Sequence, residues 1–118
     1  MEQKLALAVI KHKKVLIIKP SKSKKIWSLP TISINGESDE DCAIKLTEEV
    51  FSQPNIGEIS YYMVFNEGNT ITRIYFAEVD KIVNLFNLRG RWIKKNKSVN
   101  LTRLTEKVIK SLTDDGYL

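Results

Sequence analysis

Two short apolar runs open the chain. Leu5–Lys11 and Val15–Lys19 are aliphatic and partly β-branched, and only His12-Lys13-Lys14 separates them. That pattern predicts two strands with a tight connection. Pro20 ends the second strand, Ser21–Lys25 reads as a polar loop, and Ile26-Trp27-Ser28-Leu29-Pro30 restores apolar character. Thr31–Ile34 fits a short third strand, and Asn35-Gly36 marks a turn. Ser38 followed by Asp41 is a weak capping box, and Asp39 and Glu40 favour the positive end of a helix dipole. The helix is expected to run to about Ser52, because Pro54 forbids continuation.

Beyond it, Ile56–Phe65 and Thr70–Glu78 carry β-branched and aromatic residues around Asn66-Glu67-Gly68-Asn69, a hairpin pattern. Val79–Leu88 is ambiguous between coil and a helical turn, and Arg91-Trp92-Ile93 is strand-like. From Asn100 on, Leu101, Leu104, Val108 and Leu112 mark one face of a closing helix that ends before Asp114-Asp115-Gly116. The order strand–strand–helix–hairpin–helix predicts an α+β or mixed α/β class. No repeat or linker divides the 118 residues, so one domain is expected.

Charge and composition narrow the classes. No apolar run approaches the roughly 20 residues of a membrane span, and lysines crowd the first run too closely for a secretory signal. Cys42 is the only cysteine, which excludes an intrachain disulfide and a cysteine-based zinc site. A cytoplasmic setting is the expectation. The net charge is +5, and it is segregated. Residues 11–25 hold seven lysines and no acid, whereas residues 37–49 hold six acids against Lys45 alone. A cationic loop beside an acidic helix suits a phosphate and a divalent cation; it also suits two solvated faces.

The stretches Val15-Leu16-Ile17-Ile18-Lys19, Trp27-Ser28-Leu29-Pro30, Gly36-Glu37-Ser38 and Glu48-Glu49-Val50, in that order and spacing, resemble the Nudix (MutT-like) family. Trp92 before a lysine-rich loop and the closing amphipathic helix extend the likeness over nearly the whole chain. The resemblance implies an α/β/α sandwich around a mixed sheet and residues 1–118 as a single Nudix-like domain. It implies hydrolysis of a nucleoside diphosphate linked to another group, with Mg2+ or Mn2+ neutralising the pyrophosphate. Carried over, Glu37, Glu48 and Glu49 become metal ligands, Glu48 and Glu49 the catalytic pair, and Lys19, Lys25 and Lys45 the substrate-binding cations. The partner implied is a nucleotide-derived small molecule, with a homodimer as a common assembly.

The box departs from the family pattern G-x5-E-x7-R-E-U-x-E-E-x-G-U, in which U is aliphatic. Thr31 and Ile32 replace the paired glycines, where bare backbone ordinarily meets pyrophosphate. An ungapped match puts Leu46 and Val50 at two of the three helix glutamates, and Ile44, Thr47 and Phe51 then face the core. A register with one residue deleted after Lys45 keeps Glu48-Glu49, buries Leu46 and Val50, and needs a shifted helix start. Both registers stay open at this level.

Each candidate has a plainer reading beside it. Glu48 and Glu49 form an ordinary solvated acid pair, Glu37 an exposed turn residue, and Lys45 a helix pair with Asp41 or Glu49. Lys19, Lys22, Lys24 and Lys25 make a solvated loop, while Trp27, Trp92, Tyr61, Tyr62 and Tyr75 serve packing. His12 belongs to an exposed turn, Cys42 to the buried helix face, and no nucleophile–base pair points to covalent catalysis. Three functions compete: a metal-dependent pyrophosphohydrolase, a nucleotide-binding module without the chemistry, and a basic interaction domain. Nucleic acid is not the expected partner, because no aromatic-basic stripe or RNA-binding signature stands in the sequence.

Overall fold

The first strand is apolar at every position from Leu5 to Ile10, which suits a strand covered on both faces. In the computed structural model it is the central strand. The structure describes residues 1–19, 25–51, 56–79, 90–95 and 98–118. The expectations for Ser21–Lys24, Pro54 and most of Val79–Leu88 fall outside them.

The elements are β1 (Glu2–Lys11), β2 (Lys14–Ile18), β3 (Thr31–Ser33), α1 (Asp39–Phe51), β4 (Ser60–Glu67), β5 (Thr70–Glu78), β6 (Gly90–Ile93) and α2 (Arg103–Asp114). The strands form one mixed sheet in the order β4-β5-β1-β2-β6, with β3 also paired to β1. The β1–β5 pair is parallel, from Glu2 opposite Thr70 to Ile10 opposite Glu78. The other pairings are antiparallel.

Alternation along β1 sends its side chains to opposite helices. Leu5, Leu7 and Val9 join Cys42, Ala43, Leu46, Val50 and Phe51 of α1. Ala6, Ala8 and Ile10 join Val108, Ile109 and Leu112 of α2. The architecture is therefore the expected α/β/α sandwich around a mixed sheet. No helix among the described residues is long and apolar enough to cross a membrane.

Local chemistry sets the element ends. His12 and Lys13 both lie at positive φ, 49° and 62°, and close the β1–β2 hairpin in two residues. Lys13 Nζ donates to the carbonyl oxygen of Gly116 at 3.0 Å, which ties the turn to the end of α2. Gly36, at φ 90°, turns the chain into α1. There Ser38 Oγ accepts from the Asp41 N–H at 3.1 Å, so the expected cap is present.

The closing helix starts later than its periodicity suggests. Thr102 caps it, accepting from the Thr105 N–H at 3.3 Å, and Leu101 stands outside the helix in a bridge to Trp27. The buried face is Thr105, Val108, Ile109 and Leu112, with Leu104 only half-buried. The hydroxyl of Thr105, a poor marker of a core position, shifts the true face by one residue.

Candidate functional site

A cleft of about 400 Å3 opens on the α2 side of the sheet. Its floor is Lys4 of β1 with Thr31–Ser33 of β3, and Ser28 borders it. The β4–β5 hairpin supplies Phe65, Glu67, Thr70 and Thr72, and the start of α2 supplies Thr102 and Leu104. Phe65 and Leu104 give it apolar walls, hydroxyls ring the rest, and Lys4 is its lining cation. Lys4 lies 3.8 Å from Glu2, and Arg103 lies 3.6 Å from Glu67 at the rim.

The Trp27–Pro30 segment is fixed by a dense set of hydrogen bonds. Ser28 and Ile18 exchange backbone bonds at 2.9 and 2.7 Å, and Trp27 donates to Asn100 O at 2.8 Å. The Leu29 N–H donates to the buried Thr105 Oγ1 at 3.0 Å. Ser28 and Thr31 hydroxyls both donate to the Leu29 carbonyl, at 2.7 and 2.9 Å. The segment is thus held between the end of β2 and the start of α2, which also frames the cleft.

The acidic helix is arranged otherwise than the resemblance implies. Glu37 Oε2 accepts from Lys45 Nζ at 2.6 Å, and Oε1 accepts from the Asn35 N–H at 2.7 Å. Lys45, followed by backbone N–H donors, holds the Glu37 carboxyl down at about 2. The same pairing raises Lys45. Glu48 and Glu49 are exposed. Among the described residues, no three of His, Cys, Asp and Glu stand together to hold a metal ion. Leu46 and Val50, at 2% and 1% exposure, belong to the α1 core. The donor set therefore does not fit a divalent ion held by three helix-side carboxylates.

The helix mixes the two registers of the box. Leu46 and Val50 point inward, as the gapped match requires, yet Thr47 and Phe51 are buried with them. Ile44 is 37% exposed, against the ungapped expectation. The buried Thr47 hydroxyl donates to the Ala43 carbonyl at 2.8 Å, which lets it sit in an apolar layer.

Of the lysines picked from the sequence, Lys45 is engaged by Glu37. Lys19 lies 5.8 Å from the Trp27 ring, beside Arg91 at 5.6 Å. Lys25 lines a separate hollow with Asn100 and Glu106. None of the three lines the cleft between β3, the β4–β5 hairpin and α2; Lys4 does. Its signal was available, since it alternates with Ala6 and Ala8 along β1.

Sequence reading also missed the best-organised acid. Asp39 accepts two bonds from Arg73, at 2.8 and 2.7 Å, and one from the Tyr75 hydroxyl at 2.6 Å. Arg73 chiefly holds Asp39 below the usual carboxylate range. Asp39 in turn pushes Tyr75 up to about 12. This network docks the start of α1 on β5 and commits both Asp39 oxygens to Arg73 and Tyr75.

Glu37 yields a titration test. A carboxyl depressed from 4.5 to about 2 adds stability above pH 4.5 and loses it as pH falls through about 2. Carbon-detected NMR of Glu37 should therefore show a midpoint near the lower value, returning to the ordinary range in Lys45→Met. An ordinary midpoint in the parent protein would refute the pairing.

No protein-family model and no curated protein sequence matches the chain. Solved structures do. The C-terminal domain of mouse MUTYH, determined with human PCNA, superposes with a TM-score of 0.81 at 11% identity, covering 98% of this chain and 89% of that one. A MutT from a study of Aliivibrio salmonicida and Vibrio cholerae gives 0.81 at 16% identity, covering 97% and 98%. The NUDIX domain of Shewanella oneidensis NrtR, complexed with ADP ribose, gives 0.77 at 14%, covering 96% and 86%. The chain has the Nudix fold. The likeness lies in backbone architecture, and side chains have diverged almost throughout.

Proposed function

We propose that this chain is a Nudix-fold nucleotide-binding module whose cleft takes a nucleoside-diphosphate derivative without a helix-held divalent cation. One observation carries the reading: the Glu37 carboxylate is occupied by the Lys45 ammonium while Leu46 and Val50 are core residues. In this reading the Mg2+ or Mn2+ implied by the resemblance has no built place, and Glu48 and Glu49 act as solvated surface acids. The hydrolase reading would need three carboxylates on one centre.

The cleft supports the binding half of the proposal. Its volume falls in the range of roughly 300–1,000 Å3 common for small-molecule sites. Phe65 and Leu104 suit a base, the threonine hydroxyls a sugar, and Lys4 a phosphate oxygen. ADP ribose, the ligand of the NrtR domain, is the natural first probe. A cytoplasmic setting, residues 1–118 as one domain and a homodimeric assembly belong to the proposal on the resemblance alone.

A thermal-shift series tests it. At a hundredfold excess over Kd, a ligand that binds only the folded state adds about 2.7 kcal/mol. ADP ribose should raise Tm equally in EDTA and in Mn2+, and Lys4→Ala should remove most of the rise. Metal-dependent turnover of ADP ribose or of a nucleoside triphosphate would defeat the reading.

A further inference from the structure

A second hollow, about 280 Å3, lies on the outer side of Phe65 and is lined by Arg103, Glu106, Lys107 and Lys110 of α2. Phe65 lines both this hollow and the cleft that holds Lys4, so the two are neighbours across a single ring. Arg103, Lys107 and Lys110 follow one another at offsets 0, 4 and 7 on an exposed helix face, about 10 Å from first to last. Neither Lys107 nor Lys110 has an ion-pair partner among the described residues. Among the described residues, the ion-pair contact of Arg103 is the long one to Glu67.

We propose that this face is a docking track for a single-stranded nucleic acid, with one nucleotide unit entering the cleft and its flanking phosphates lying on α2. The inference rests on the reading that the cleft takes a nucleotide, and it names the larger molecule to which that nucleotide belongs. Single-strand binding sites pair an aromatic platform with a basic groove. No such stripe exists in the linear sequence; folding assembles it from β4 and α2, which are far apart along the chain.

Charge restricts the approach. The outward side of α1, on the opposite face of the sheet, carries exposed Glu40, Asp41, Glu48 and Glu49, which repel a polyanion. Glu106 is the one acid lining the basic hollow, leaving it net positive. The concave cleft selects the strand type, since an unstacked base can enter it and a paired one cannot.

Fluorescence anisotropy of the full chain with a labelled oligonucleotide of about 12 bases tests the proposal, with a blunt duplex of equal length in parallel. Three phosphate contacts on a single strand predict a roughly 20-fold loss of affinity between about 50 and 200 mM salt. Lys107→Glu combined with Lys110→Glu should cost about tenfold or more. The same double variant should keep the ADP ribose thermal shift, which separates the track from the cleft. Excess ADP ribose should displace the strand.

If ADP ribose stabilises the chain but no strand binds, or the charge reversals leave binding unchanged, the track is wrong while the cleft reading stands. Equal binding of duplex, or strand binding that survives saturating ADP ribose, also overturns the proposal.

Discussion

Leu46→Ala should lower the stability of the folded chain by about 2–5 kcal/mol, the span measured for truncating fully buried leucines. In a domain of this size that corresponds to a Tm lower by roughly 10 °C or more. Leu46 is 2% exposed in the cluster that joins α1 to Leu5, Leu7, Val9 and Leu16, so little can relax into the space it vacates. Leu46→Glu is the sharper variant. It installs the acid that an ungapped reading of the box assigns here, and it puts an unpaired carboxylate into an apolar layer. The expected outcome is failure to fold, read by circular dichroism and by the soluble fraction. A folded Leu46→Glu protein with its parent Tm and a new Mn2+-dependent hydrolysis would show that α1 presents this position to the cleft.

Thr105→Val should cost about 1–3 kcal/mol even though it preserves shape, because it strands a buried donor. Thr105 is fully buried, and its hydroxyl oxygen takes the Leu29 N–H at 3.0 Å while sharing a hydrogen bond with Thr102 Oγ1 at 2.7 Å. Thr105→Ser keeps the oxygen and should recover most of the loss. The same bond seats Leu29-Pro30 beside the cleft, so Thr105→Val should also weaken the ADP ribose shift at saturation. Equal Tm values for the valine and serine variants would mean that the hydroxyl does not hold the segment.

These positions show what the sequence could and could not reveal. Strands and helices were readable because β1, β2 and the hairpin carry unbroken or alternating apolar patterns, and Ser38 and Asn35-Gly36 mark a helix start by local chemistry. The sandwich followed once the order of elements matched the Nudix pattern. The site was less accessible, because its geometry depends on contacts between distant segments. Glu37, Glu48 and Glu49 look alike in a motif, but Lys45 binds the first and the other two face water. Asp39 read as a helix-dipole residue, and only the parallel β1–β5 register reveals Arg73 and Tyr75 waiting for it. Lys4 is legible by its alternation with Ala6 and Ala8, but the lysine-rich loop after it draws the eye first.

The parallel register of β1 and β5 also governs how the molecule comes into being. The most apolar strand finds its principal neighbour only after Thr70–Glu78 has been made, with β3 and α1 already synthesised in between. Pairing across so long a stretch is entropically slow. Until then Leu5–Ile10 has β2 and β3 along one edge only, and its other edge is open to joining the same strand of another nascent copy. Cellular yield should depend on how quickly the hairpin leaves the ribosome, a demand set by topology before any ligand is met.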